Sequence, residues 1–294
     1  MSKSKVYFSQ NISAENVLKM FQILNKNLTG NVAVKVHSGE KGNQNFLGPD
    51  FMKPTIDFVQ GTVVECNTAY EGARHTTEKH KELMALHGWS KNFNVDIMDS
   101  ERPDLELVIS NGNVLTKNYV GKNLENYNSL LVISHFKGHQ MGGYGGALKQ
   151  LSIGVASTAG KCYIHSAGQT TEMSNVWKKT ADQKVFLEAM AESAGSVVKF
   201  FNGNAAYVNI MCNLSVDCDC NCSAKAPCMK DIGILSSLDP VALDQACVDL
   251  VYSSNDAGKK QLIERIESRF GLHTLECAEN LGIGSREYEL IKID

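Results

Sequence analysis

The stretch DCDCNCSAKAPCMKDIG, residues 217 to 233, places four cysteines, Cys218, Cys220, Cys222 and Cys228, within eleven residues. Thiolate is the softest common protein ligand, so this density points to zinc, another metal or an iron-sulfur cluster, with redox-active thiols or no special role as the alternatives. The spacing C-x-C-x-C-x5-C matches neither the C-x2-4-C knuckles of zinc sites nor the C-x2-C-x2-C run of bacterial ferredoxins. These sulfurs meet on one ion only if the backbone turns, and Asn213, Asp217, Asp219 and Asn221 favour a turn. Asp217 and Asp219 can add oxygen ligands, and Cys212, at the end of the preceding apolar run, is a fifth candidate sulfur.

Other reactive side chains end predicted strands: NVAVKVH at His37, GTVVEC at Cys66, SLLVISH at His135, KCYIH at His165 and AAYVNIMC at Cys212. Ligands of an open parallel sheet bind outside the carboxyl ends of its strands, so these termini are expected to share a crevice. A His or Cys at a strand end can equally be a hydrogen-bonded structural residue. The loop HFKGHQMGGYGGALKQLSIG follows the third of these strands. Gly142, Gly143, Gly145 and Gly146 permit positive φ and close approach of a ligand, and a helix starting near Gly145 would point free N–H groups at an anion. Lys137 and Lys149 supply charge. The loop is neither a P-loop nor a complete GxGxxG, and tight packing against the sheet is its alternative reading. Arg74 is placed to hold a carboxylate or phosphate, or to form a surface salt bridge. His80 and His87 lie within a helical pattern and read as solvent-facing or partly packed. The candidate catalytic set is His135, Lys149, His37 and His165.

The elements that position these groups alternate. SAENVLKMFQILNKNL reads as an amphipathic helix capped by Ser13, TTEKHKELMALHGW and KVFLEAMAESAGSVVKFF as further helices, and Asp239-Pro240 as the N-cap and first position of another. SLLVISH is apolar throughout, as a strand buried on both faces would be. Leu243, Ala246, Cys247, Leu250 and Val251 form one helical stripe, which makes Cys247 a small core hydrophobe and Cys277 a member of a similar face. Strands interleaved with helices predict an α/β chain, a largely parallel or mixed sheet flanked by helices, with residues 1–294 as a single large domain that has room for a small lobe.

The 294 residues include 43% hydrophobic and 21% charged side chains at a net charge of -3, which gives no electrostatic reason to expect a nucleic acid partner. The sequence contains no run of the roughly 18 to 20 apolar residues that a membrane span needs, and no signal-peptide pattern, so a cytoplasmic location is expected. Nine cysteines in such a chain argue against a disulfide scaffold.

Taken together, KVHSGEKGN, YEGARHTTEKH, ISHFKGHQMGGYGGALKQLSIG, KCYIHSAGQT, DCDCN and DIGILSSLDPVALDQACVDLV resemble, in this order, the uncharacterised iron-sulfur centre protein family, domain of unknown function 362. The likeness runs from about residue 31 to 253. It implies an iron-sulfur cluster and a redox partner protein. Many members carry a C-x2-C-x2-C-x3-C insert before the long helix, whereas this chain reads TTEMSNVWKKTADQKVFLEAMAES there, without a cysteine. The DCDC segment is then the best candidate for metal. The glycine loop is also distantly similar to one in nickel-dependent lactate racemase-like proteins. Two functions therefore stand side by side: a redox-linked metalloprotein, and an enzyme acting on a small anionic acid with Lys149 and His135 as acid-base groups. A non-catalytic metal-binding module is the third.

Overall fold

A computed structural model describes residues 3–294. Its strands are β1 (Ser4–Ser9), β2 (Val32–Lys35), β3 (Thr62–Glu65), β4 (Val95–Ile97), β5 (Leu105–Val108), β6 (Lys117–Val120), β7 (Ser129–His135), β8 (Lys137–His139), β9 (Gly143–Gly145), β10 (Ala205–Met211), β11 (Gly233–Ser237) and β12 (Tyr288–Lys292). Eight form one sheet in the order β12-β1-β11-β10-β7-β2-β3-β4. The run β10-β7-β2-β3-β4 is parallel throughout, while β11 is antiparallel to both β1 and β10. The α/β expectation of a mostly parallel, mixed sheet flanked by helices holds. The short pairs β5–β6 and β8–β9 stand outside it.

Strand β7 shows why its sequence is apolar without alternation. Successive side chains point to opposite faces, and both faces are covered. Leu130 and Val132 enter one core layer with Val64, Tyr207 and residues of the helix Gln183–Phe201. Leu131 and Ile133 enter the other with Val34, Val63 and Ile210, against Val17, Met20 and Phe21 of the helix Ala14–Gln22 and Met52 and Ile56 of the helix Pro49–Val59.

The caps behave as their residues dictate. Ser13 Oγ accepts from the Asn16 N–H at 3.2 Å, and Asp239 Oδ1 accepts from Val241 and Ala242 at 2.9 and 3.0 Å. The first helix stops at Gln22 instead of running to Leu28, because Asn25 turns the chain with a φ of 48°. KCYIH is not a strand. It belongs to the helix Thr158–His165, capped by Ser157, whose Oγ accepts from the Gly160 N–H at 3.0 Å. Gly160 is required there: a Cβ would stand 1.8 Å from the Tyr119 carbonyl oxygen of β6. LELVIS supplies β5, outside the main sheet. Cys247 is fully buried in its helix, as its stripe predicts. His80 corrects its expectation, being wholly buried with Nδ1 3.3 Å from Asn67 Oδ1.

Candidate functional site

The carboxyl ends of β2 and β3 open on a cavity of about 590 Å³ whose walls are completed by residues from the 68–74 loop, the loop after β8, the segment 149–154, the helix Thr158–His165 and Cys220 to Cys222. Buried salt bridges linking Lys35, Glu65, Arg74 and Glu40 form its inner wall. Lys35 is the last residue of an otherwise apolar strand, and its Nζ meets Glu65 Oε2 at 2.6 Å with both side chains buried. Glu65 also accepts from the Ser38 amide and hydroxyl at 2.8 and 3.0 Å. Burial alone would raise the Glu65 carboxyl, but the Lys35 ammonium, with Arg74 further off, holds it well below the usual range. Arg74 is buried and is not a surface residue. Its Nε donates to Glu40 Oε2 at 3.2 Å and its Nη2 to the Tyr70 hydroxyl at 3.0 Å.

Lys149 differs from these cations. It lies at the end of the short helix Ala147–Lys149, where the chain passes into a π turn over Gln150–Gly154, an irregularity frequent at functional sites. Lys149 lines the cavity and joins no salt bridge among the described residues. Removal from water, then the cations Lys137, Lys35 and Arg74, push its ammonium down to about 7. Lys161 also lines the cavity, and its Nζ donates to the Ala156 carbonyl. Two buried polar atoms of wall residues, His165 Nδ1 and Gln150 Oε1, have no hydrogen-bond partner among the described residues. The His165 ring stacks on Phe186 at 4.7 Å, and burial pushes its pKa down to about 3. The walls therefore offer positive charge and a titratable amine.

Of the residues singled out from sequence, Lys149, His37, His165, Arg74 and Cys66 reach this cavity. His37 stands just beyond β2, and Gly39 donates its N–H to Nδ1 at 3.1 Å. Cys66 donates its thiol to the Val155 carbonyl at 3.2 Å, and burial with the Asp99 charge pushes that thiol well up. His135 ends β7 as expected but does not line the cavity. Its Nδ1 lies 3.0 Å from both oxygens of Asp219 and its Nε2 2.7 Å from the Cys212 carbonyl, so both nitrogens are held by acceptors. Lys137 Nζ pairs with Asp219 Oδ2 at 2.7 Å. Asp219, proposed above as a metal ligand, is thus the anchor of a buried cluster.

The glycine loop also has a different task. The N–H groups of Ala147 and Leu148, expected to face an anion, donate to Asp244 at 2.8 and 2.9 Å. A protein carboxylate fills the helix N-terminus. Gly142, Gly143, Gly145 and Gly146 do not line the cavity. A Cβ on Gly146 would stand 2.4 Å from Asp244 Oδ1 and one on Gly143 2.9 Å from Gly271, so these glycines permit close packing.

The cysteines divide. Cys218 and Cys220 are joined by a disulfide, against the expectation of free thiols. The intervening turn brings their Cα atoms to 5.3 Å, within reach of a bond. Cys220 and Cys222 line the cavity rim, Cys222 being exposed. Cys212 is buried in the core layer of the other sheet face, and half-buried Cys228 donates to the Leu214 carbonyl at 3.3 Å.

Among the described residues, two groups of side chains have ligand atoms close enough to share a metal ion, His139 with Cys218 and Cys220, and Glu188 with His273 and Cys277, the atoms in each lying within 4.8 Å of one another. An iron-sulfur cluster takes four cysteine ligands. Cys212, Cys222 and Cys228 join neither group, so a four-thiolate cluster does not fit the residues as they stand. His139 is also poorly disposed, since its Nδ1 already accepts from Gly142 and Met141 at 2.8 and 3.2 Å, whereas a ligating imidazole uses its second nitrogen as a donor. Lys35, Glu40, Glu65, Tyr70, His139 and Lys161 were not singled out from sequence. Lys35, Glu65 and Lys161 carried a local signal, a charge within or at the end of an apolar run.

The fold and site define an open α/β protein with a cationic cavity at the carboxyl edge of its sheet. The model of the family described as Domain of unknown function (DUF362) matches residues 32–249, and the chain belongs to that family. No curated protein matches it. Among solved structures it is similar to the lactate racemase apoprotein from Thermoanaerobacterium thermosaccharolyticum, at 14% identity and a TM-score of 0.49, over 83% of this chain and 56% of that one. It is also similar to a Thermotoga maritima protein, at 9% identity and a TM-score of 0.44, over 91% of this chain and 59% of that one. The chain spans little more than half the length of either. At these scores the likenesses carry no statement about activity.

Proposed function

We propose that the cavity binds a small anionic acid and that Lys149 exchanges a proton with it. The observation that carries this reading is the placement of Lys149: a cavity-lining amine close to three other cations and without a carboxylate of its own. An anion supplies the missing charge, and an amine titrating near neutrality can both take and return a proton. Arg74 and Lys161 hold the negative charge electrostatically.

A second, redox-linked reading rests on the bond between Cys218 and Cys220 at the rim. It supports thiol-disulfide exchange with a partner protein, not an iron-sulfur cluster, since the cysteines do not assemble four ligands. No step of the proton chemistry passes through these sulfurs.

Calorimetric titration with a panel of small carboxylates and inorganic phosphate tests the first reading. An anion binds the protonated amine, so affinity is full below pH 7 and falls as pH rises through about 7. About a tenfold loss is expected between pH 6 and pH 8, with proton uptake on binding. Lys149→Met should abolish both the affinity and its pH dependence. Binding that is unchanged in this variant, or flat across that range, contradicts the proposal.

A further inference from the structure

Outside the cavity, one cluster of ligating side chains has no role in the function proposed above. His273 and Cys277 lie four residues apart on the helix Leu272–Asn280 and therefore on one face of it. Glu188 faces them from the helix Gln183–Phe201. His273 Nε2 is 2.9 Å from Glu188 Oε1 and 3.6 Å from Cys277 Sγ. Ligand atoms around a tetrahedral zinc ion, with bonds of about 2.0 to 2.3 Å, stand roughly 3.3 to 3.8 Å apart, so small side-chain shifts open this cluster to ion size.

The other ring nitrogen makes the stronger argument. His273 Nδ1 lies 3.3 Å from Glu276 Oε2, and Arg286 reaches the second oxygen of that carboxylate at 3.7 Å. A metal-bound imidazole commonly donates its remaining N–H to a carboxylate, which fixes the ring and leaves the opposite lone pair for the ion. His139, beside the Cys218–Cys220 bond, has the reverse arrangement. Glu188 and Glu276, both within hydrogen-bond reach of His273, place negative charge beside the cluster. A dication relieves that field. The residues are partly exposed, His273 at 22% and Glu188 at 33%, so an ion has access from solvent and the fourth position is open to water.

We propose that Glu188, His273 and Cys277 form a binding site for a borderline divalent cation, zinc foremost, that ties the C-terminal helix to the long helix Gln183–Phe201. The donor set of one thiolate, one imidazole and one carboxylate suits zinc or cobalt and not magnesium or calcium. The ion displaces the thiol proton and the hydrogen bond between His273 and Glu188, and no electron transfer is involved. Since neither helix carries Lys149, this site stands or falls independently of the anion cavity.

The test is titration of the reduced, chelator-stripped full chain with Co2+, followed by near-ultraviolet thiolate-to-cobalt absorption. Cys218→Ser with Cys220→Ser removes the other cluster, and one Co2+ should still bind with this absorption, displaced by Zn2+. Cys277→Ser should abolish the absorption. Glu276→Gln should keep it but weaken binding about tenfold, the effect of losing an outer carboxylate. Absorption that survives Cys277→Ser, or that disappears with Cys218 and Cys220, overturns the proposal.

Discussion

Lys35 is a charge inside a β-strand in which every neighbour is apolar, and it is wholly buried. Its charge is matched by Glu65, on the adjacent parallel strand, which supplies a carboxylate at 2.6 Å and is itself held by Ser38, while the Val36 carbonyl accepts a further hydrogen bond from Nζ. Removing one member of such a pair leaves an unmatched buried charge, which costs about 3 to 5 kcal/mol, whereas removing both is far milder. Glu65→Gln should therefore lower the denaturation midpoint markedly, and adding Lys35→Met should restore most of the loss. Equal destabilisation by the single and the double variant, measured by urea unfolding, would contradict this account of the inner wall. The odd charge in VAVKVH is legible in the sequence, but its partner is not, since Glu65 lies 30 residues away. Arg74 was legible as a functional candidate, and its pairing with Glu40 and Tyr70 was not.

At the scale of elements, legibility follows how local the determining interaction is. The continuous apolar run of SLLVISH declares a strand covered on both faces, and Ser13 and Asp239 declare their helices, because the decisive contacts lie within a few residues. KCYIH misleads because a five-residue apolar pattern cannot separate strand from buried helix, and the cap at Ser157 lies outside it. The glycine loop misleads for a different reason. Its helix N-terminus suits an anion, as its sequence suggests, but the anion is Asp244, 97 residues from Ala147. His135 is likewise claimed by Asp219 from 84 residues away. The DCDC segment turns as its Asn and Asp residues suggest, and the turn closes a sulfur-sulfur bond. The position of the site at the carboxyl edge of parallel strands was legible, because it is a property of the topology.

At the scale of the whole molecule, the site region concentrates histidines that the fold keeps neutral. Burial pushes His80 and His165 down to about 3, and holds His37 and His139 well below their ordinary value, with Arg74 acting further on His37 and Lys149 on His139. In the unfolded chain all four protonate near pH 6.5, so their contribution to stability is complete above that pH and is lost as pH falls toward the folded values. Each such group removes about 2 kcal/mol between pH 7 and pH 5. Urea unfolding at these two pH values should show a steep fall in stability with net proton uptake on unfolding. Equal stability at pH 7 and pH 5 would contradict the buried, neutral assignment.

The same balance of burial and charge sets the group on which the proposed function depends, and it can be read at a single atom. Selective carbon labelling of lysine, with the Lys149 signal assigned by comparison with Lys149→Met, gives the titration of that amine in the folded chain. The account predicts a midpoint near 7, moving upward when a small anionic acid occupies the cavity. A midpoint near the ordinary value of about 10.5, unmoved by any anion, would contradict it.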